Sequence, residues 1–377
     1  MLHTHSHIAL LGWVFTALMT ILYKLYPGPG EKGRSYGYIF LFTQLTIFGM
    51  LVTFPVQGYA LFSIIFSTLF LIASYWFAGF FIKNTPLTLK QTYSYRCIKA
   101  ALWYLIISSL GPWALGAIMG TLGNTSIWYR IAIYFYLHFL YNGFFVLTLC
   151  GLFFYILEKY QLAPEKRTFK VFYLLVNASI ILTFFLSVLW TKPPAIIFIL
   201  GGLGAILQLI VFGNLIYFFV RKWPDLQGKI PHFVGWLFKV VCLLFIVKIM
   251  LQALSSIPYF AHLIHGILDL VIGYLHWVFL GVVSIGLFAF LHYFQLLKVP
   301  KTAFLIYIIG FFLSEALIIY KGVAVWLQHA LFDQYFLMLV IVSALIPLGL
   351  FYILLENLRW KRKFAGDEDL RRKSANG

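Results

Sequence analysis

Residues 129–157 read YRIAIYFYLHFLYNGFFVLTLCGLFFYIL. The run holds one charged side chain, Arg130 at its start, and one histidine, His138, a third of the way along. As an α-helix rising about 1.5 Å per residue, it is long enough to cross the roughly 30 Å hydrocarbon core of a bilayer. It lacks the strict alternation that a membrane-barrel strand requires, so it reads as a transmembrane helix. The rest of the chain repeats the pattern. The 377 residues are 62% apolar, 20% aromatic and only 10% charged, whereas a soluble domain carries about 25% charged residues. A single soluble fold, a disordered chain and a secreted disulfide scaffold are excluded. The expected fold class is all-α: a polytopic membrane helical bundle forming a single transmembrane domain over residues 1–377.

Eleven apolar runs are long enough to span, at about 7–26, 36–55, 59–82, 98–120, 129–157, 169–190, 194–220, 233–256, 268–296, 302–321 and 334–357. The basic residues test this count. With eleven crossings, 23 of the 28 Lys and Arg fall on one side, seven of them after Asn357. Arg130, Lys192 and Lys321 fall on the other, and Lys239 and Lys248 lie within span eight. By the positive-inside rule the C-terminus, with a polar tail over 358–377, is cytoplasmic and the N-terminus is outside. The expected location is the inner (plasma) membrane of a prokaryote. The net charge of +17 therefore follows topology, and no nucleic-acid partner is needed to explain it. The opening MLHTHSH lacks the basic region of a cleavable signal, so none is expected. Cys97, Cys150 and Cys242 show no CxxC spacing and imply neither a disulfide framework nor a zinc site.

Ten histidines are many for so apolar a chain. Three begin the same short pattern, His followed five residues later by Gly: His7–Gly12, His138–Gly143 and His276–Gly281. They fall on spans one, five and nine, at intervals of 131 and 138 residues. A four-helix unit repeated three times would give this spacing. An intramembrane histidine is costly without a partner, which makes each a functional candidate. Imidazole is an axial ligand for haem iron, and glycine lets a neighbour approach closely. The plainer alternative is that each histidine hydrogen-bonds an adjacent helix.

On these residues the chain resembles the haem–copper oxidase and nitric-oxide reductase catalytic subunits. That family has twelve spans with threefold pseudosymmetry and its ligands on helices two, six, seven and ten. If the family's first helix is lacking here, spans one, five and nine correspond to helices two, six and ten. His138-Phe-Leu-Tyr-Asn142-Gly143 is similar to the reductase helix-six motif HLWVEG, with Asn142 in the place of Glu. The resemblance implies His7 and His276 as the axial pair of a low-spin haem b, and His138 as the remaining ligand of a non-haem metal. It also implies Lys321 as a cation for the haem propionates. The departures are equally specific. Span six carries no histidine, and span nine reads Tyr274-Leu275-His276 where the family has His-x-His. Reduction of oxygen or nitric oxide is therefore not expected. The implied activity is electron transfer or sensing, with a redox protein as partner and the lipid bilayer as surroundings.

Other polar groups leave alternatives open. His3, His5 and His7 could form a metal cluster at the membrane edge, joined by His262 and His265, or be a frayed terminus. Lys248 and Glu315 lie at comparable depth and could pair. Asp269 could orient a histidine. The alternative function is a transporter or channel with a polar path through Lys248, Glu315 and His138. A broken helix between Pro193-Pro194 and Gly201-Gly202 would favour it.

Overall fold

A computed structural model of the chain describes residues 2–28, 30 and 32–359. The polar tail, apart from Leu358 and Arg359, lies outside the described residues. Among these the regular structure is entirely helical, and eleven helices are long and apolar enough to cross a membrane. They are α1 (Thr4–Leu25), α2 (Gly33–Gln57), α3 (Leu61–Asn84), α4 (Tyr93–Thr121), α5 (Ile127–Lys159), α6 (Lys166–Thr191), α7 (Ala195–Gln227), α8 (His232–Leu254), α9 (Leu268–Tyr293), α10 (Lys301–Leu327) and α11 (Tyr335–Arg359). The eleven runs expected from hydropathy correspond one to one with these helices. The largest differences are at the ends of α7 and α10, which continue past the expected runs, α7 with the polar residues from Arg221 and α10 with the apolar residues 322–327. Lys321 consequently lies within α10 rather than at its end.

The chain divides into two compact units, one comprising Met1–Lys229 with Ile249–His262, the other Ile230–Lys248 with Leu263–Gly377. In the first unit, Glu158 at the end of α5 accepts hydrogen bonds from Tyr93 N, Ser94 N and Ser94 Oγ. It thereby supplies acceptors for amides that the start of α4 leaves unpaired. Tyr104 on α4 donates to Asn177 Oδ1 on α6 at 3.0 Å. Helices α6 and α7 touch backbone to side chain at Gly204, where an added Cβ would lie 2.7 Å from Leu182 and Thr183. The Pro193-Pro194 pair terminates the connection from α6 after Lys192, which is left-handed (φ 55°). Helix α7 then runs unbroken through Gly201 and Gly202. In the second unit, Gly322 of α10 lies against Leu270 of α9, and Gly310 against Leu345 and Ile346 of α11. Asn357 clamps the connector before α10, accepting from Lys298 N and donating to Lys298 O, both at 2.8 Å.

The α-helical hydrogen-bond ladder widens to π-helix in three spans, each time directly after the histidine of the His-to-Gly pattern. The segments are Ile8–Phe15 in α1, Phe139–Val146 in α5 and Trp277–Ser284 in α9. Each is 8 residues long and carries its glycine at the fifth position. π-Turns are rare and concentrate at functional sites, so their coincidence with the sequence repeat is structural support for it. The wider ladder satisfies its carbonyls less well, and no water is present in hydrocarbon to help. Hydroxyls complete two of the three segments at the same place, four residues after the histidine. Thr16 Oγ1 donates to Leu11 O at 3.4 Å while accepting from Gln44 Nε2 at 3.2 Å, and Tyr307 OH donates to Leu280 O at 2.8 Å. The three helices concerned are also the most enclosed, with 50%, 83% and 50% of their apolar windows buried against 17–44% in the other eight.

The glycines differ in how tightly they are held. A Cβ at Gly143 would lie 2.5 Å from Tyr104 Cβ, whereas at Gly281 it would meet only the ring tip of Phe311, at 2.8 Å. Gly202 has nothing within 4 Å. Gly143→Ala should therefore destabilise the protein by about 1–3 kcal/mol, the usual range for overpacking. Gly281→Ala should cost less, and Gly202→Ala should cost nothing. Thermal unfolding in detergent, followed by circular dichroism, checks the order.

Candidate functional site

The second unit contains the most polar arrangement found within the spans. Helices α9 and α10 pack side by side, and this brings His276 to Glu315: Nδ1 lies 3.2 Å from Oε1. The Glu315 side chain is 1% exposed, and neither of its oxygens has a well-aligned hydrogen-bond donor. The imidazole is thus its only charge partner among the described residues. His276 keeps 32% of its side chain exposed. With Nδ1 turned to the carboxylate, Nε2 points the opposite way across the ring. Next in sequence, Trp277 donates from Nε1 to Leu244 O of α8 at 2.9 Å and so fixes the first π-turn beside the histidine.

The remaining candidates in this unit take partners different from those expected. Asp269 accepts from Lys321 Nζ at 2.9 Å, both side chains being partly buried. Lys321 also lies 5.8 Å from the centre of the Phe336 ring. The cation expected for a propionate is thus held by an aspartate, and the aspartate expected to orient a histidine holds a lysine. Glu315 takes the histidine instead. Lys248 is fully buried with its ammonium 5.7 Å from the Phe245 ring, but it is not the partner of Glu315. The reason is packing: α9, which carries His276, is the neighbour that presents an imidazole at the depth of Glu315. One signal in the sequence pointed there, since Glu315 is the only acid in α10 and needs a cationic or donor partner.

In the first unit, His7 is half-buried against aromatic rings, 4.5 Å from Phe54 and 6.1 Å from Tyr59 between centroids. His5 is exposed, and the side chain of His3 lies outside the described residues. His138 is 1% exposed and engaged on both nitrogens. Asn142 Nδ2 donates to Nδ1 (3.3 Å), so the proton sits on Nε2, which donates to Ile180 O of α6 (2.8 Å). That carbonyl lies where α6 tightens from α- to 3₁₀-helix and its ladder is weakest. His138 therefore ties α5 to α6, and Asn142, in the place of the reductase glutamate, sets its tautomer. His262 and His265 share a short helix, Pro258–Gly266. Among the described residues no three His, Cys, Asp or Glu side chains are grouped to hold a metal ion.

Comparison with protein-family models gives no match, and comparison with curated proteins gives none either. The chemistry must be argued from these residues.

Replacing His138 by Leu removes both bonds and leaves the Ile180 carbonyl with only the long contact from Thr183 Oγ1 at 3.4 Å. The expected loss is about 1–3 kcal/mol. Adding Asn142→Leu should cost little more, because the two residues act as one network. A double-mutant cycle on unfolding midpoints measures this, and full additivity would contradict it.

Proposed function

We propose that this chain is a haem-binding membrane protein for electron transfer or sensing, with His276 as a ligand of a low-spin haem b. The contact between His276 Nδ1 and Glu315 carries this reading. Metal-ligating histidines characteristically engage a carboxylate or carbonyl through the nitrogen that does not ligate, which fixes the tautomer and the ring plane. His276 has that arrangement inside a membrane-spanning helix, at the head of one of three equivalent π-turns. The residues present therefore fit the group chemically. A haem held by His276 would supply one-electron exchange.

The protein's own residues supply orientation. Glu315 restrains rotation of the His276 ring and directs its Nε2 away from α10. Trp277 holds the backbone at the ligand, and Gly281 allows α9 to lie close to Phe311. No metal role is proposed for His138, whose two nitrogens serve the protein itself. The transport reading receives no comparable support, because α7 is unbroken and Glu315 is committed to His276.

The test is the visible spectrum of protein purified from haem-replete cells. A low-spin Soret and α-band are expected, at one haem per chain by pyridine haemochrome. His276→Ala should abolish the low-spin bands, whereas His138→Leu should retain them. A colourless wild-type preparation, or unchanged bands in His276→Ala, would overturn the proposal.

A further inference from the structure

The first unit contains a cleft of about 740 Å³ between α6 and α7, bordered by the end of α5 and the connector after it. Its walls are mainly apolar, with Val171, Phe172 and Leu175 on α6 and Val211, Leu215 and Phe218 on α7, and Thr168 and Asn214 add polar groups. Its mouth is cationic, with Arg167, Arg221 and Lys222 at the helix ends. Lys222 is shared with Asp225 at 3.6 Å, and Glu165 stands at the rim as the opposing charge. Arg167 and Arg221 are exposed, and neither makes an ion pair or hydrogen bond among the described residues. From Arg167 to Leu175 the wall descends eight residues, or about 12 Å of helix, and from Arg221 to Val211 about 15 Å.

A charged mouth leading into a long apolar trough between two membrane-spanning helices has the polarity of one phospholipid molecule. We propose that this cleft is a binding site for an anionic phospholipid, its phosphate held by Arg167 and Arg221 and an acyl chain lying between α6 and α7. Charge complementarity selects the headgroup, because two uncommitted guanidiniums suit a net negative lipid and gain little from a zwitterionic one. The apolar depth selects a lipid over free phosphate, which would leave the trough unfilled. Basic pockets between transmembrane helices hold anionic headgroups by this combination. The site is independent of the haem reading.

The experiment uses the full chain in detergent and native mass spectrometry with added phosphatidylglycerol or phosphatidylcholine. The wild type should retain phosphatidylglycerol in preference to phosphatidylcholine. Arg167→Gln with Arg221→Gln should weaken phosphatidylglycerol binding about 30-fold, the loss expected for two interfacial cations. Both positions are exposed, and circular dichroism confirms that the variant is folded. Equal retention of the two lipids, or a double variant that binds like the wild type, would refute the site. Displacement of phosphatidylglycerol by millimolar inorganic phosphate would also refute it, identifying a phosphate site in its place.

Discussion

A backbone carbonyl in hydrocarbon has no water to turn to, and this constraint governs how the chain can place an irregular turn inside a membrane. Three spans widen into π-helix at the depth of a histidine. Each widening slackens the ladder, and in two of the three a neighbouring hydroxyl makes up the difference. In α1 the relay runs from Gln44 through Thr16 to Leu11, and in α9 Tyr307 reaches Leu280. Both target the carbonyl four residues after the histidine. The glycine one position later keeps the bulge from pushing the adjacent helix away, most tightly at Gly143. Histidine, wide turn, supported carbonyl and glycine form one device, and the helices that contain it are the most enclosed of the eleven.

The same device serves three different ends. In α5 the histidine is consumed by the fold, with one nitrogen accepting from Asn142 and the other closing a gap in α6. In α1 the ring rests among aromatic side chains. In α9 the ring lies beside a buried carboxylate. Backbone geometry therefore sets where an imidazole enters the bundle, and the polar neighbour sets its surroundings there. An amide at position 142 makes a tether, whereas a glutamate on the adjacent helix sets a buried acid against the ring.

Much of the fold was legible because span length and charge asymmetry are strong signals. Runs such as 129–157 cannot be placed elsewhere, and the alternation of Lys and Arg fixes their number. Helix ends were less legible at Gln227, where a solvated tip carries no hydrophobic signature, and at Leu327, where the charge of Lys321 marked an end that the apolar residues 322–327 carry past. The π-turns are invisible to propensity, and only the recurrence of His and Gly at one spacing marked their positions. Partners were hardest to read. Depth alone made Lys248 and Glu315 a plausible pair, but depth does not say which helix is adjacent. Packing of α9 on α10 delivered His276 to Glu315 and Asp269 to Lys321, exchanging the roles the two acids were expected to play.

The two ion pairs on α9 and α10 also differ in what they cost, and this bears on their purpose. Lys321 and Asp269 are partly exposed and lie near the ends of their helices, so their net worth is small and so is their desolvation. Glu315 is almost fully buried, and at 3.2 Å without good alignment the imidazole does not repay the cost of removing a carboxylate from water. Apolar side chains of similar volume would hold α9 and α10 together at least as well, and Gly322 against Leu270 already brings the helices into close contact. Packing thus gives no reason for an acid and a base at this depth. The ligand role proposed for His276 would give one, because a carboxylate beside Nδ1 biases the tautomer and the ring plane.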